Sequence, residues 1–171
     1  ISFCEDVRPA DYPREQWKRA IAAGKRNRKY FWGDLYALSD VTVRGTRARE
    51  SDGSLGGGLQ ISDGITVEME RVLIDDCIMA GIILGHASTH LSATDLQIGN
   101  TVSRETDGWY GRAIHVEQGG IVEIQRGLLE GNAEATVLVA GVDSVLSATD
   151  LAIVDTQERG CAVDGCPDTG Y

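Results

Sequence analysis

From about Leu35 onward, apolar and polar residues alternate with a period of two, the pattern of strands that bury one face. Leu59 and Ile61 share one side, with Gln60 and Ser62 on the other. A turn at Asp63-Gly64 follows, after which Val67 and Met69 alternate with Glu68 and Glu70. Beyond a further bend, Val72 and Ile74 flank Leu73. The pattern predicts three short strands separated by turns. It then recurs as Ile82/Leu84, Leu91/Ala93 and Leu96/Ile98, as Ile114/Val116, Val122/Ile124 and Leu129, and as Val137/Val139, Leu146/Ala148 and Leu151/Ile153.

The recurrence has a fixed length. LSATDL occurs at Leu91–Leu96 and again at Leu146–Leu151, a shift of 55 residues. Asp40, Val41 and Val43 form a degraded copy 55 residues before Asp95, Leu96 and Ile98. Thr46, Thr101 and Thr156 keep the same phase, as do Arg71 with Arg126 and Asp52-Gly53 with Asp107-Gly108. The unit divides into two coils of roughly 23 residues plus an insertion, at Arg47–Gly57 and again at Val102–Arg112. A period sustained this far predicts an all-β solenoid, here a parallel β-helix of three short strands per coil and about five coils. Strand pairing would set the rise at about 4.8 Å per coil. A leucine-rich repeat would need its Leu/Asn consensus, which is missing. A β-propeller would need antiparallel blades of about 40–45 residues, which fits neither period.

The repeats are expected to span 35–156, with an N-terminal segment at 1–34 and a tail at 157–171. Within the first segment, Asp11 suits a helix start, Pro13 a first turn and Gly24 an exit. Trp17, Ala20 and Ile21 fall on one face at helical spacing. These residues predict a helix over Tyr12–Ala23 that caps the first coil. The basic run Lys25–Lys29 suits a solvated helix end. A β-helix exposes unpaired backbone at its ends, so end-to-end self-association is expected.

Composition narrows the class. The formal net charge of −10 disfavours nucleic acid as a partner, because that affinity rests on neutralising phosphates. No apolar run approaches the roughly 20 residues of a membrane helix. The 21 glycines and 6% aromatics suit small aliphatic layers joined by tight turns. Cys161 and Cys166 are close enough in sequence for a local disulfide, which would favour a secreted, periplasmic or surface setting. Four free thiols in a cytosolic protein are the alternative. No cofactor motif is present, and the cysteines lack the clustering of a zinc site.

One corner carries alternating charge. The residue before the third strand is Asp40, Arg71, Asp95, Arg126 and Asp150 in turn, at steps of 31, 24, 31 and 24. With Val41, Val72, Leu96 and Leu151 pointing inward, these five should point out. Each Arg is expected to reach the Asp above and the Asp below, forming a structural ladder that disfavours a slip of one coil. A second corner stacks Asp76, Asn100 and Asp155 with Cys77, Thr101, Asn132 and Thr156. Such side chains bond turn backbone; a calcium site is the less favoured reading.

The strand triplets, the polar corner at Asp76, Asn100 and Asp155 and the inward aliphatics resemble right-handed parallel β-helices of the pectate-lyase-like superfamily. More narrowly, their cadence resembles β-helix repeats of bacterial secreted and surface proteins. The resemblance implies a glycan-related role, with pectin-acting lyases and hydrolases among its members. A family lyase would carry clustered acidic ligands and a cationic base. Here the weak catalytic candidates are Glu68, Glu123 and His115. Glu68 and Glu123 lie two coils apart, roughly 9–10 Å, with Ser92 between them; a solvated acidic face explains them as well. His115 is expected on the outer face beside Arg112. His86 and His90 fall in an ordinary corner. The insertions are the stronger lead, since loops on a rigid scaffold commonly bind. The second carries Asp107 and Trp109-Tyr110, near Arg112 and His115. Its aromatic pair either stacks on a sugar ring or packs on the coil beneath. The sequence therefore favours a non-catalytic module that binds a polysaccharide or protein partner, or serves as a scaffold, over a lyase or glycoside hydrolase.

Overall fold

The structure, a computed structural model, describes residues 35–48, 56–104 and 108–158. Among these residues every regular element is a strand. In chain order they are β1 (Leu35–Ser39), β2 (Thr42–Arg44), β3 (Leu59–Ile61), β4 (Thr66–Asp75), β5 (Ala80–Leu84), β6 (His90–Gly99), β7 (Arg112–Glu117), β8 (Ile121–Glu130), β9 (Val137–Ala140) and β10 (Val145–Val154). The helix expected at Tyr12–Ala23 lies outside the described residues, as do Cys4, Cys161 and Cys166. Among the described residues no helix is long and apolar enough to cross a membrane.

Two sheets form, and all their pairings are parallel. One runs β1-β4-β6-β8-β10, with β2 also on β4, and the other runs β3-β5-β7-β9. From β3 onward the chain alternates strictly between the two sheets, so each circuit adds one strand to each. This arrangement is all-β and consistent with a β-solenoid. Apolar side chains from both sheets meet in one core. Ile61, Leu84 and Val116 are in register and fully buried, as are Val67, Leu91 and Val122. Each such aliphatic contributes about 1.5–3 kcal/mol. Val139 and Leu146 continue the two stacks in register but are not fully buried. Gly127 interrupts a third row, Val72–Leu96–Gly127–Leu151. A Cβ there would come within 2.7 Å of Leu151 Cδ1, so the neighbouring leucine fills the missing volume.

The second and third expected strands are one. β4, β6, β8 and β10 each run ten residues through the predicted bend without breaking. The bend is a single left-handed residue: Asp40, Arg71, Asp95, Arg126 and Asp150 all have φ between 54° and 60°. Its effect on side-chain phase can be followed along β4. Val67 and Met69 point in, Glu70 and Arg71 are both exposed, and Val72 and Ile74 point in again. One left-handed residue therefore slips the alternation by one position, which lets a continuous strand turn a corner while keeping its apolar side inward.

The side chains at this corner pair, but in twos. Arg71 forks onto Asp40 at 2.6 and 2.9 Å, and Arg126 onto Asp95 at 2.7 and 2.9 Å. Each Arg thus gives its hydrogen-bonding fork to the Asp of the preceding circuit, and acts on the Asp of the following circuit only through longer-range attraction. Arg71 has a further contact with Glu70. Hydrogen bonds from Arg71 and Arg126 hold Asp40 and Asp95 below the usual carboxylate range.

A second left-handed corner follows, at Gly45, Asp76, Asn100, Gly131 and Asp155. Its polar groups are consumed locally. Arg47 bonds Asp76 at 2.6 Å, and Asn100 donates to Asp75 at 2.8 Å. Buried Asn132 accepts from the Thr101 N–H at 3.2 Å and donates to the Ile98 carbonyl at 3.1 Å. Such bonds satisfy backbone that the turn would otherwise leave unpaired.

Candidate functional site

The second insertion departs after Val102, which bridges to Ile78. Two backbone bonds close it: the Gly108 N–H to the Arg104 carbonyl at 2.8 Å and the Arg104 N–H to the Trp109 carbonyl at 2.9 Å. Ser103 Oγ donates to the Tyr110 carbonyl at 2.9 Å. Re-entry is at Gly111, whose φ of 110° matches the 108° of Gly56 at the same phase of the first insertion. A Cβ on Gly111 would meet Ala133 Cβ at 2.7 Å, so both space and backbone require glycine.

These constraints lay Tyr110 over the start of β7. Its ring centroid lies 5.0 Å from the Arg112 guanidinium carbon and 5.4 Å from that of Arg104, within cation–π range. The His115 ring is 6.3 Å away, tilted by 37°. Arg112 is buried and pairs with Glu134 at 2.9 Å. Arg112 Nε and Glu134 Oε2 are buried with no hydrogen-bond partner in the protein, an arrangement that costs free energy. His115 extends the row Gln60–Ile83–His115–Leu138 on the outer side of its sheet. It is nevertheless buried, because the insertion covers it. Burial and then the Arg112 cation push its pKa below the usual histidine value of 6.5, so the ring is neutral at pH 7. Its Nε2 lies 3.6 Å from a Glu117 carboxylate oxygen.

Four of the residues singled out in sequence, Trp109, Tyr110, Arg112 and His115, therefore share one surface; Asp107 lies outside the described residues. The aromatic pair divides its labour. Tyr110 packs down on the sheet, while Trp109 stays 46% exposed.

Comparison with protein-family models, characterised proteins and solved structures finds no match.

Two members of the site were missed in sequence. Arg104 stands 55 residues after Arg49, each three residues before an Asp-Gly, so the period contained that signal. Glu134 belongs to the next circuit, and only the strand register brings it to Arg112.

The remaining candidates do not converge on this site. Glu68, Ser92 and Glu123 form one outward row across adjacent strands, so the serine separates the carboxylates as expected. Glu123 is bonded to His90 at 3.1 Å. A shallow hollow of about 380 Å³ is lined by Ala37, Ser39, Glu68, Met69, Glu70, Ser92 and Thr94. His86 pairs with Asp63 at 3.2 Å. Among the described residues no three acidic, His or Cys side chains are grouped to hold a metal ion. Cys77 is a buried free thiol, and burial raises its pKa.

Proposed function

We propose that this chain is a non-catalytic module, a parallel β-helix of the right-handed pectate-lyase-like kind, that binds a glycan through its second insertion. A secreted, periplasmic or surface setting belongs to the same proposal. The parallel, in-register sheets support the architecture. The observation that carries the binding role is Tyr110, held against the guanidinium groups of Arg104 and Arg112 beside half-exposed Trp109. Exposed aromatic faces stack on the apolar faces of sugar rings, and side chains already held by their neighbours lose little freedom on binding. The neutral His115 and the internally paired Arg112–Glu134 favour positioning over proton transfer. The test is a glycan array probed with the native chain and with Trp109→Ala, beside an activity screen on polyuronates. The expected result is retention of a glycan by the native chain, at least tenfold weaker in the variant, with no turnover. Retention of a protein partner alone, or polyuronate cleavage abolished by Glu68→Gln, would overturn the reading.

A further inference from the structure

Arg112 stands between two acceptors and completes its bonding with neither. Its Nη2 donates to Glu134 Oε1 at 2.9 Å, and its Nη1 lies 3.5 Å from His115 Nδ1. Arg71 and Arg126 instead give Nε and Nη2 together to one carboxylate. At Arg112 that fork is half made, because Nε and Glu134 Oε2 are both buried without a hydrogen-bond partner.

The contact with His115 fixes where that ring keeps its proton. A guanidinium only donates, so Nδ1 supplies the lone pair and the proton sits on Nε2. Nε2 in turn lies 3.6 Å from Glu117 Oε2. A second proton has to enter at Nδ1, against the Arg112 cation. Donor would then meet donor and charge would meet like charge, so the contact would break. Both groups have a partner waiting. The imidazolium can give its Nε2–H to Glu117, and Arg112 can close its fork on the free Glu134 oxygen. Tyr110 lies against that guanidinium, its ring centroid 5.0 Å away, so its support moves with Arg112.

Among the described residues, the titratable groups that face His115 are Arg112 and Glu117 from β7, Glu134 from the segment before β9 and Tyr110 from the insertion. Arg104 is also set against the Tyr110 ring. The flanking strands β5 and β9 bring Ile83 and Leu138, which do not titrate. We propose that His115 is a proton-operated switch beneath the second insertion. Neutral, it holds Arg112 under Tyr110; protonated, it turns to Glu117, releases Arg112 to Glu134 and unseats Tyr110. Two arrangements of one small set of side chains are thus biased by a single proton. Burial and the Arg112 cation put the transition below the ordinary histidine value of 6.5. That acid would weaken ligand retention at this surface rests on the glycan reading above; the switch itself does not.

The experiment follows the ring nitrogens of His115 and the signals of Tyr110 and Gly111 by NMR on the full chain, from about pH 7.5 to about pH 4.5. The chain has three histidines, and His115→Gln assigns the one in question. The expected result is the Nε2–H tautomer at the upper pH and a His115 midpoint below 6.5, with Tyr110 and Gly111 shifting at that same midpoint. In His115→Gln those shifts should be absent. In Glu117→Gln the midpoint should fall further, because the imidazolium loses its acceptor. An Nδ1–H tautomer at the upper pH would overturn the proposal, as would Tyr110 and Gly111 signals that stay still while His115 titrates. If His115→Gln fails to fold, the tautomer and the shared midpoint in the native chain and in Glu117→Gln decide the question. No glycan enters this titration, so a failed glycan array leaves its outcome readable.

Discussion

β6 and β10 are nearly the same strand in two positions, and they meet different fates. Ile98 of β6 is fully buried, whereas Ile153 of β10 is 48% exposed. Asp95 is gripped by the fork of Arg126, whereas Asp150 meets Arg126 only through longer-range attraction. Residue identity is shared, so it does not explain the difference. Burial and pairing are conferred by the circuit laid on top. In a structure whose strands pair only with adjacent circuits, a side chain's worth is set by its place in the stack.

The largest expected consequence is in the core. Ile98→Ala should cost about 2–5 kcal/mol, as a buried truncation that leaves a cavity. Ile153→Ala should cost less than about 1 kcal/mol, because a half-exposed side chain loses little transfer free energy. Urea denaturation of both variants checks this, and equal losses would break the comparison.

Next comes the buried ion pair. Glu134→Gln would leave the Arg112 charge buried without its counter-ion, and about 3 kcal/mol of destabilisation is expected. Loss of cooperative unfolding around β7 in the same experiment would place the effect at the insertion.

The corner charges are exposed, so their effects should be smaller still and fade with salt. Asp95→Ala should lower the melting temperature measurably, and Asp150→Ala should lower it less, since Asp150 acts on Arg126 without a hydrogen bond. Arg126→Asp should destabilise more than Arg126→Ala, and adding Asp95→Arg should restore part of the loss. The pH dependence has a definite sign. The Asp95 pKa is depressed in the folded state, so its contribution is present above the unfolded value near 3.8. It is lost as the pH falls below that value toward the folded pKa. The gap between native protein and Asp95→Ala should close over that acid range.

The smallest expected effect belongs to His115. Its folded pKa is also depressed, so its contribution is complete above about 6.5 and declines as the pH falls below it. Thermal melts between pH 7.5 and 5 should show this slope, and His115→Gln should flatten it.

Much of the architecture was legible because each circuit repeats the same constraint. The apolar pairs Leu59/Ile61, Val67/Met69 and Val72/Ile74 declared their sides through period two. The shift from Met69 to Val72 declared a corner. That a single left-handed residue makes this corner was not legible, since Arg71 and Arg126 are not residue types that favour positive φ. The ladder's members were legible from the steps of 31 and 24, but not its pairing in twos, which depends on side-chain geometry. At the site, Trp109, Tyr110, Arg112 and His115 were found because they lie near one another in sequence. Glu134 was not, because it reaches Arg112 only through the register of β7 with β9. His115 was placed on the outer face correctly and its burial missed, since the covering loop has no periodicity to read.

The most direct test of circuit-conferred stability is amide hydrogen exchange across the two LSATDL segments. Identical sequence gives them closely similar intrinsic exchange rates, so any difference in protection reports the stack. The expected result is strong protection throughout Leu91–Leu96 and fast exchange at those amides of Leu146–Leu151 that face the outer edge. Equal protection in the two segments would contradict the account, because it would mean that the edge of β10 is already covered.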